Sequence, residues 1–135
     1  MRPPGEAPSG PGDSGAYHLL IRLSRPLRMR VGRLGVVGFP AGWYVYTGSA
    51  MRGLRARVAR HRRRRKRLHW HVDYLLRRGR IVEVIVRPSR RREECRLNAR
   101  VAALPGATMP VPGFGSSDCR CVSHLVHFDR RPRLP

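Results

Sequence analysis

The sequence predicts a small α/β domain, with a mainly antiparallel sheet flanked by helices. Three observations predict it. Short runs rich in β-branched and aromatic residues recur along the chain, as strands require. Between them lie stretches with helical spacing of apolar residues, ended by glycine or proline. Their order, β-β-β-α-α-β-α-β, groups strands together before the first helix, as in small α/β domains with helices packed around the sheet. A length of 135 residues fits one domain and suffices for a sizeable core.

Residues 1–14, "MRPPGEAPSGPGDS", are rich in Pro, Gly and Ser and are expected to be disordered. The domain is expected over 15–128. "GAYHLLIRL" (15–23) has strand composition and ends before "SRP". "RMRVGRLGVVGFPAG" (28–42) reads as a hairpin-like second strand and a loop, and "WYVYTGS" (43–49) as a third strand. "GLRARVARHRRRRKR" (53–67) reads as a helix with a thin apolar stripe of Leu54, Val58 and Ala59. "HWHVDYLLRRG" (69–79) is a second helix stopped by Gly79, on which Trp70 and Tyr74 pack against the sheet. "IVEVIVRP" (81–88) is a strand closed by Pro88. "RREECRLNARVAALPG" (91–106) is a third helix, "GFGSSDCRC" (113–121) a turn region and "VSHLVHF" (122–128) a last strand. The tail 129–135 is expected to fray.

The charge balance narrows the partner. Lys and Arg number 29 against 8 Asp and Glu, a net charge of +21, and Lys66 is the single lysine. Such a chain repels itself, and an anionic partner relieves the repulsion; nucleic acid leads. Arginine forks onto phosphate oxygens as lysine does not. No stretch approaches the ~20 apolar residues of a membrane span. The start lacks the apolar core of a secretory signal. Three cysteines do not make a disulfide framework, so a reducing cytoplasm is the expected compartment.

The stretch "GSAMRGLRARVARH" (48–61) joins a strand to a basic helix. Its small residues let backbone amides approach a ligand, and a helix start favours an anion. Arg57 and His61, four apart, share a face. From these residues alone, the junction reads either as a phosphate site or as a structural turn followed by a solvated basic face. Gly48, Ser49, Arg52, Arg55 and Arg60 are the substrate-binding candidates of the first reading. The acids outside the two ends are Asp73, Glu83, Glu93, Glu94 and Asp118. A magnesium ion, which often takes one or two protein carboxylates, must draw on these. Glu94, with Asn98 one turn on, could face a pocket; alternatively Glu93 and Glu94 offset nearby arginines.

"GAY" (15–17), "YTG" (46–48), Leu54-x-x-Arg57-x-x-x-His61 and Glu94, in that order, resemble the GIY-YIG nuclease superfamily. Ala16 and Thr47 stand where the motif has its middle isoleucines. More closely, "GSA", "WHVDYL", "EC" and "GFGSSDCRCVSHL" resemble the short family called domain of unknown function 123, over roughly Gly15 to Phe128. The superfamily resemblance implies divalent-metal-dependent cleavage of a DNA phosphodiester. It implies that Glu94 holds Mg2+ or Mn2+ and that Arg57 binds the scissile phosphate. It implies that Tyr17 or Tyr46 handles the attacking water and that His61 supports that network. Without the resemblance, both tyrosines read as core aromatics. His71 and Asp73 are supporting candidates for the same pocket.

Cys95, Cys119, Cys121 and His124 could form a Cys3His zinc site. The other reading is thiols packed as small hydrophobes, with His124 bonded elsewhere. The turn at Ser116, Ser117 and Asp118 could instead line the cleft. Two functions from different classes follow: a DNA endonuclease, or a catalytically silent basic nucleic-acid-binding module on the same fold.

Overall fold

The computed structural model describes residues 12–135. A four-stranded sheet is built from β1 (Gly15–Leu23), β4 (Gly42–Ala50), β5 (Arg80–Pro88) and β6 (Leu125–Phe128), in the order β5-β1-β4-β6. Every pairing is antiparallel. The region expected to hold one hairpin-like strand and a loop contains two strands instead. β2 (Leu27–Arg30) and β3 (Val36–Phe39) form a separate two-stranded sheet around a 3-10 turn at Gly32–Leu34. Three helices complete the fold: α1 (Leu54–Arg62), α2 (His71–Leu75) and α3 (Glu94–Ala102).

Alternation in the two central strands sorts the core onto both faces of the sheet. Tyr17, Leu19, Ile21, Tyr44 and Tyr46 point one way and pack with Leu54, Val72, Leu75 and Phe114. Leu20, Val45, Val126 and Phe128 point the other way and meet Val101 of α3. The first of these faces carries the aromatic residues of interest.

The three helices are shorter than their sequence patterns. α1 stops at Arg62 rather than continuing through Arg67; Arg63, at φ −68° and ψ 133°, leaves the helical conformation. Lys66 folds back, and its ammonium donates to the carbonyls of His61 (2.6 Å) and Arg60 (3.3 Å). A cation on the last carbonyls is the favoured C-terminal partner. The inward stripe is Leu54, Val58 and His61, and Ala59 is exposed. α2 is one short helix that closes through turns to Gly79, whose N–H donates to the Leu75 carbonyl. β6 begins at Leu125, not Val122, and just before it the Thr47 N–H still donates to the His124 carbonyl while the Ser123 hydroxyl accepts the Leu125 N–H.

Of the start expected to be disordered, residues 1–11 lie outside the described residues. Asp13 and Ser14 are buried and firmly bonded. Asp13 Oδ1 accepts the Arg55 N–H (3.1 Å) and its carbonyl accepts the Leu54 N–H (3.2 Å). Asp13 thus caps α1 from a distant strand start, where Gly53, in the left-handed region at φ 63°, has no side chain to do so. Asp13→Ala is expected to cost about 1 kcal/mol in chemical denaturation, the usual worth of a capping side chain. The tail after Phe128 makes contacts with the domain. Arg131 pairs with Glu83 and stacks on Trp43, and Leu134 packs against the second core cluster.

Candidate active site

The register of β1 and β4 builds the site. Tyr17 stands opposite Gly48, and Leu19 opposite Tyr46, so all four residues share one face. A Cβ at Gly48 would lie 2.6 Å from the Tyr17 hydroxyl and 3.2 Å from the Tyr46 ring. Gly48 therefore makes room for two phenols, a role different from the expected contact with substrate. The rings lie 6.4 Å apart, and His61 of α1 sits 5.4 Å from one and 6.2 Å from the other.

Tyr17 Oη and His61 Nε2 share a buried hydrogen bond of 2.7 Å. His61 Nδ1 is buried with no partner among the described residues. Burial lowers the imidazole to about 4, so it is neutral at physiological pH. Burial, with the second phenol close by, holds Tyr17 far above the ordinary tyrosine value, against the pull of Arg57. Tyr46 is pushed up to about 12, chiefly by burial; Arg57 lowers it, while Asp73 and Glu94 raise it. Its hydroxyl makes no hydrogen bond to the described residues. Tyr46 therefore feels the guanidinium of α1 and the carboxylate of α3 together, although the two are distant in sequence.

Arg57 is held but not neutralised. Its Nη1 donates to the Ser49 carbonyl (2.7 Å), and the guanidinium stacks 4.8 Å over Trp70. The ion pairs among the described residues are Arg60–Asp73, Arg96–Glu93 and Arg131–Glu83, and none involves Arg57. Ser49, expected to touch substrate, contributes through its backbone. Glu94 opens α3, and its Oε2 is buried without a hydrogen-bond partner among the described residues.

Two other expected substrate contacts are used differently. Arg60 forks onto both oxygens of buried Asp73, each at 3.1 Å, donates to the Arg67 carbonyl and stacks 4.4 Å over Trp70. Its charge is already matched. Arg55 lines a groove of about 540 Å³ between α1 and β5, with Val58, Arg62, Val84 and Val86, on another side of the helix from Arg57. Arg52 is exposed in the loop before α1. Sequence reasoning placed Trp70 only as packing, yet it supports both arginines. Asp73 sits at the start of α2 and accepts the His69 and Trp70 amides, at 2.8 and 2.9 Å. Burial alone would raise its carboxyl; the Arg60 fork and those amides hold it below the ordinary aspartate value. His71 accepts the Gly115 N–H on Nδ1 (2.8 Å), tying α2 to the 113–124 loop rather than facing the phenols with a lone pair.

Beside Glu94, Cys95, Cys119, Cys121 and His124 bring their donor atoms within 4.8 Å of one another. The cluster has the number and kind of donors of a metal site. Cys95 directly follows Glu94 in the first turn of α3, which places the cluster beside that carboxylate.

The fold and this cluster define a small, strongly basic α/β domain with a phenol–imidazole–guanidinium centre and a nearby carboxylate. The family described as Domain of unknown function DUF123 matches residues 16–134, and the chain belongs to that family. No curated protein and no solved structure matches the chain. Among the described residues no helix is long and apolar enough to cross a membrane.

Proposed function

We propose that this protein is a GIY-YIG-like endonuclease that hydrolyses DNA phosphodiester bonds with a divalent metal. One observation carries the reading. Among the described residues the Tyr46 hydroxyl has no hydrogen-bond partner, the opposite charges of Arg57 and Glu94 both act on it, and neither charge has an ion-pair partner. A binding module has no use for such a set.

Hydrolysis joins a water oxygen to phosphorus as the ester P–O bond breaks, and the leaving oxygen takes up a proton. The protein must orient the water and offset the charge that grows on the phosphate. Arg57, without an ion-pair partner among the described residues and stacked over Trp70, suits the phosphate. Tyr46 keeps its proton near neutral pH and orients the water by hydrogen bonding. The Tyr17–His61 bond holds the neighbouring phenol and α1 in register. The buried, unpartnered Oε2 of Glu94 fits a hard divalent cation, so Glu94 would hold Mg2+ or Mn2+. Such an ion supplies Lewis-acid charge at the phosphate oxygens. Exposed Arg62, Arg63, Arg64, Arg65 and Arg67, just past α1, suit the flanking phosphates, in a salt-sensitive and sequence-independent manner.

The test is a panel of labelled duplex, branched and single-stranded DNAs incubated with protein and Mg2+ or Mn2+. Cleavage is expected, with Glu94→Gln lowering it at least about 10²-fold while binding persists. Cleavage unchanged in Glu94→Gln would sink the assignment. Tight binding with no cleavage of any substrate would favour the silent binding module.

A further inference from the structure

We infer that Cys95, Cys119, Cys121 and His124 bind one zinc ion, and that this ion fixes the first turn of α3 and thereby the position of Glu94. The catalytic meaning of that position rests on the nuclease reading; the zinc site does not.

The geometry fits a closed tetrahedral centre. With Zn–S near 2.3 Å and Zn–N near 2.0 Å, a tetrahedron has S···N edges of about 3.5 Å and S···S edges of about 3.8 Å. His124 Nε2 lies 3.3 Å from Cys119 Sγ and 3.7 Å from Cys95 Sγ, and all four donor atoms fall within 4.8 Å of one another. The imidazole is also set in the right tautomer. His124 Nδ1 lies 2.8 Å from the Thr47 carbonyl, which can only accept, so the proton is on Nδ1. Nε2 then directs a bare lone pair at the sulfurs. This is the outer-shell bond that metal-binding histidines use. Thiols packed merely as small hydrophobes would have no need of it. Soft thiolates with one imidazole select zinc, whereas a lone carboxylate such as Glu94 suits a hard cation.

The ligands also come from the places that need a staple. Cys95 is the second residue of α3, and the other three lie on the long 103–124 connection that leads into β6. That connection forms no helix or strand beyond one isolated bridge at Thr108. An extended loop inside a compact domain calls for such a fastening. Asn98 Nδ2 of α3 also donates to the Ser123 carbonyl of this connection, at 2.7 Å.

Two measurements on the wild-type chain test this, and neither uses cleavage. Protein purified under reducing conditions from zinc-supplied medium is expected to carry one zinc per chain. After chelation, Co2+ should give tetrahedral d–d bands with thiolate charge transfer. Protein without metal and without those bands, or a disulfide among the three cysteines by mass spectrometry, overturns the site. Hydrogen exchange is then compared with zinc bound and removed. Amides of 94–98 and 113–124 should exchange at least about tenfold faster without zinc, while β1 and β4 stay protected. No acceleration at 94–98, or equal acceleration in β1 and β4, overturns the positioning role.

Discussion

Arg57→Ala is expected to lower single-turnover DNA cleavage by about 10³-fold while nucleic-acid binding falls by less than about fivefold. The asymmetry follows from charge arithmetic. Binding to nucleic acid would be shared among many of the 29 basic side chains, so losing one would remove a small part of the phosphate contacts. Cleavage by the proposed mechanism would depend on a guanidinium at one place, where charge develops on the phosphate. Arg57→Lys should recover less than about a tenth of the loss. The ammonium cannot stack 4.8 Å over Trp70, nor hold the Ser49 carbonyl while also forking onto phosphate. Trp70→Leu acts through the arginines it supports; it should lower the maximal rate without changing the magnesium dependence. Thermal unfolding of each variant separates lost packing from lost chemistry. A folded Arg57→Ala protein that cleaves within about threefold of the parent would remove Arg57 from the mechanism.

Much of the fold was legible in the sequence because β1 and β4 carry their own signal. "GAYHLLIRL" and "WYVYTGS" are apolar on both faces, and a central strand covered on both sides must be. The grouping of Tyr17 and Tyr46 with Arg57 and His61 comes from the family resemblance; the residues alone give core aromatics and a four-residue helical step from Arg57 to His61, and the β1–β4 register that brings Tyr17 to His61 appears only in the structure. Other features depend on contacts that no local pattern encodes. Whether Arg55 or Arg60 faces the phenols depends on how α1 is rotated against the sheet, and a helix so rich in arginine has almost no apolar face to reveal it. Asp13 sits in a Pro- and Gly-rich stretch, and only the docking of β1 beside α1 makes it a cap. The end of α1 coincides with Lys66 folding back onto the last carbonyls, a side-chain contact that helical propensity does not register.

Asp73 offers the largest stability effect. Its side chain is fully buried, and it takes the Arg60 fork together with the His69 and Trp70 amides. Removing one partner of a buried pair costs about 3–5 kcal/mol; because Arg60 is 22% exposed, the lower end applies, about 3 kcal/mol. Against a total stability of about 5–15 kcal/mol, Asp73→Ala should lower the melting temperature by roughly 10 °C. Asp73→Asn keeps an acceptor for the two amides and should lose less. The pH dependence isolates the charge. A carboxyl held low in the folded state stabilises at every pH above its unfolded value, about 3.9. That contribution is lost as pH falls through the lower folded value. His18 and His61, both lowered to about 4 by burial, work in a higher window. Between about pH 6.5 and 4 the unfolded chain takes up protons that these buried imidazoles refuse, so stability falls with decreasing pH there. The parent should therefore lose stability in two steps. Asp73→Asn should keep the upper step and lack the lower one. Urea denaturation across pH 3 to 8 reads both limbs, and a variant with an unchanged limb below pH 4, or an Asp73→Ala protein within about 0.5 kcal/mol of the parent, would show that the Arg60–Asp73 fork does not hold α2 to α1.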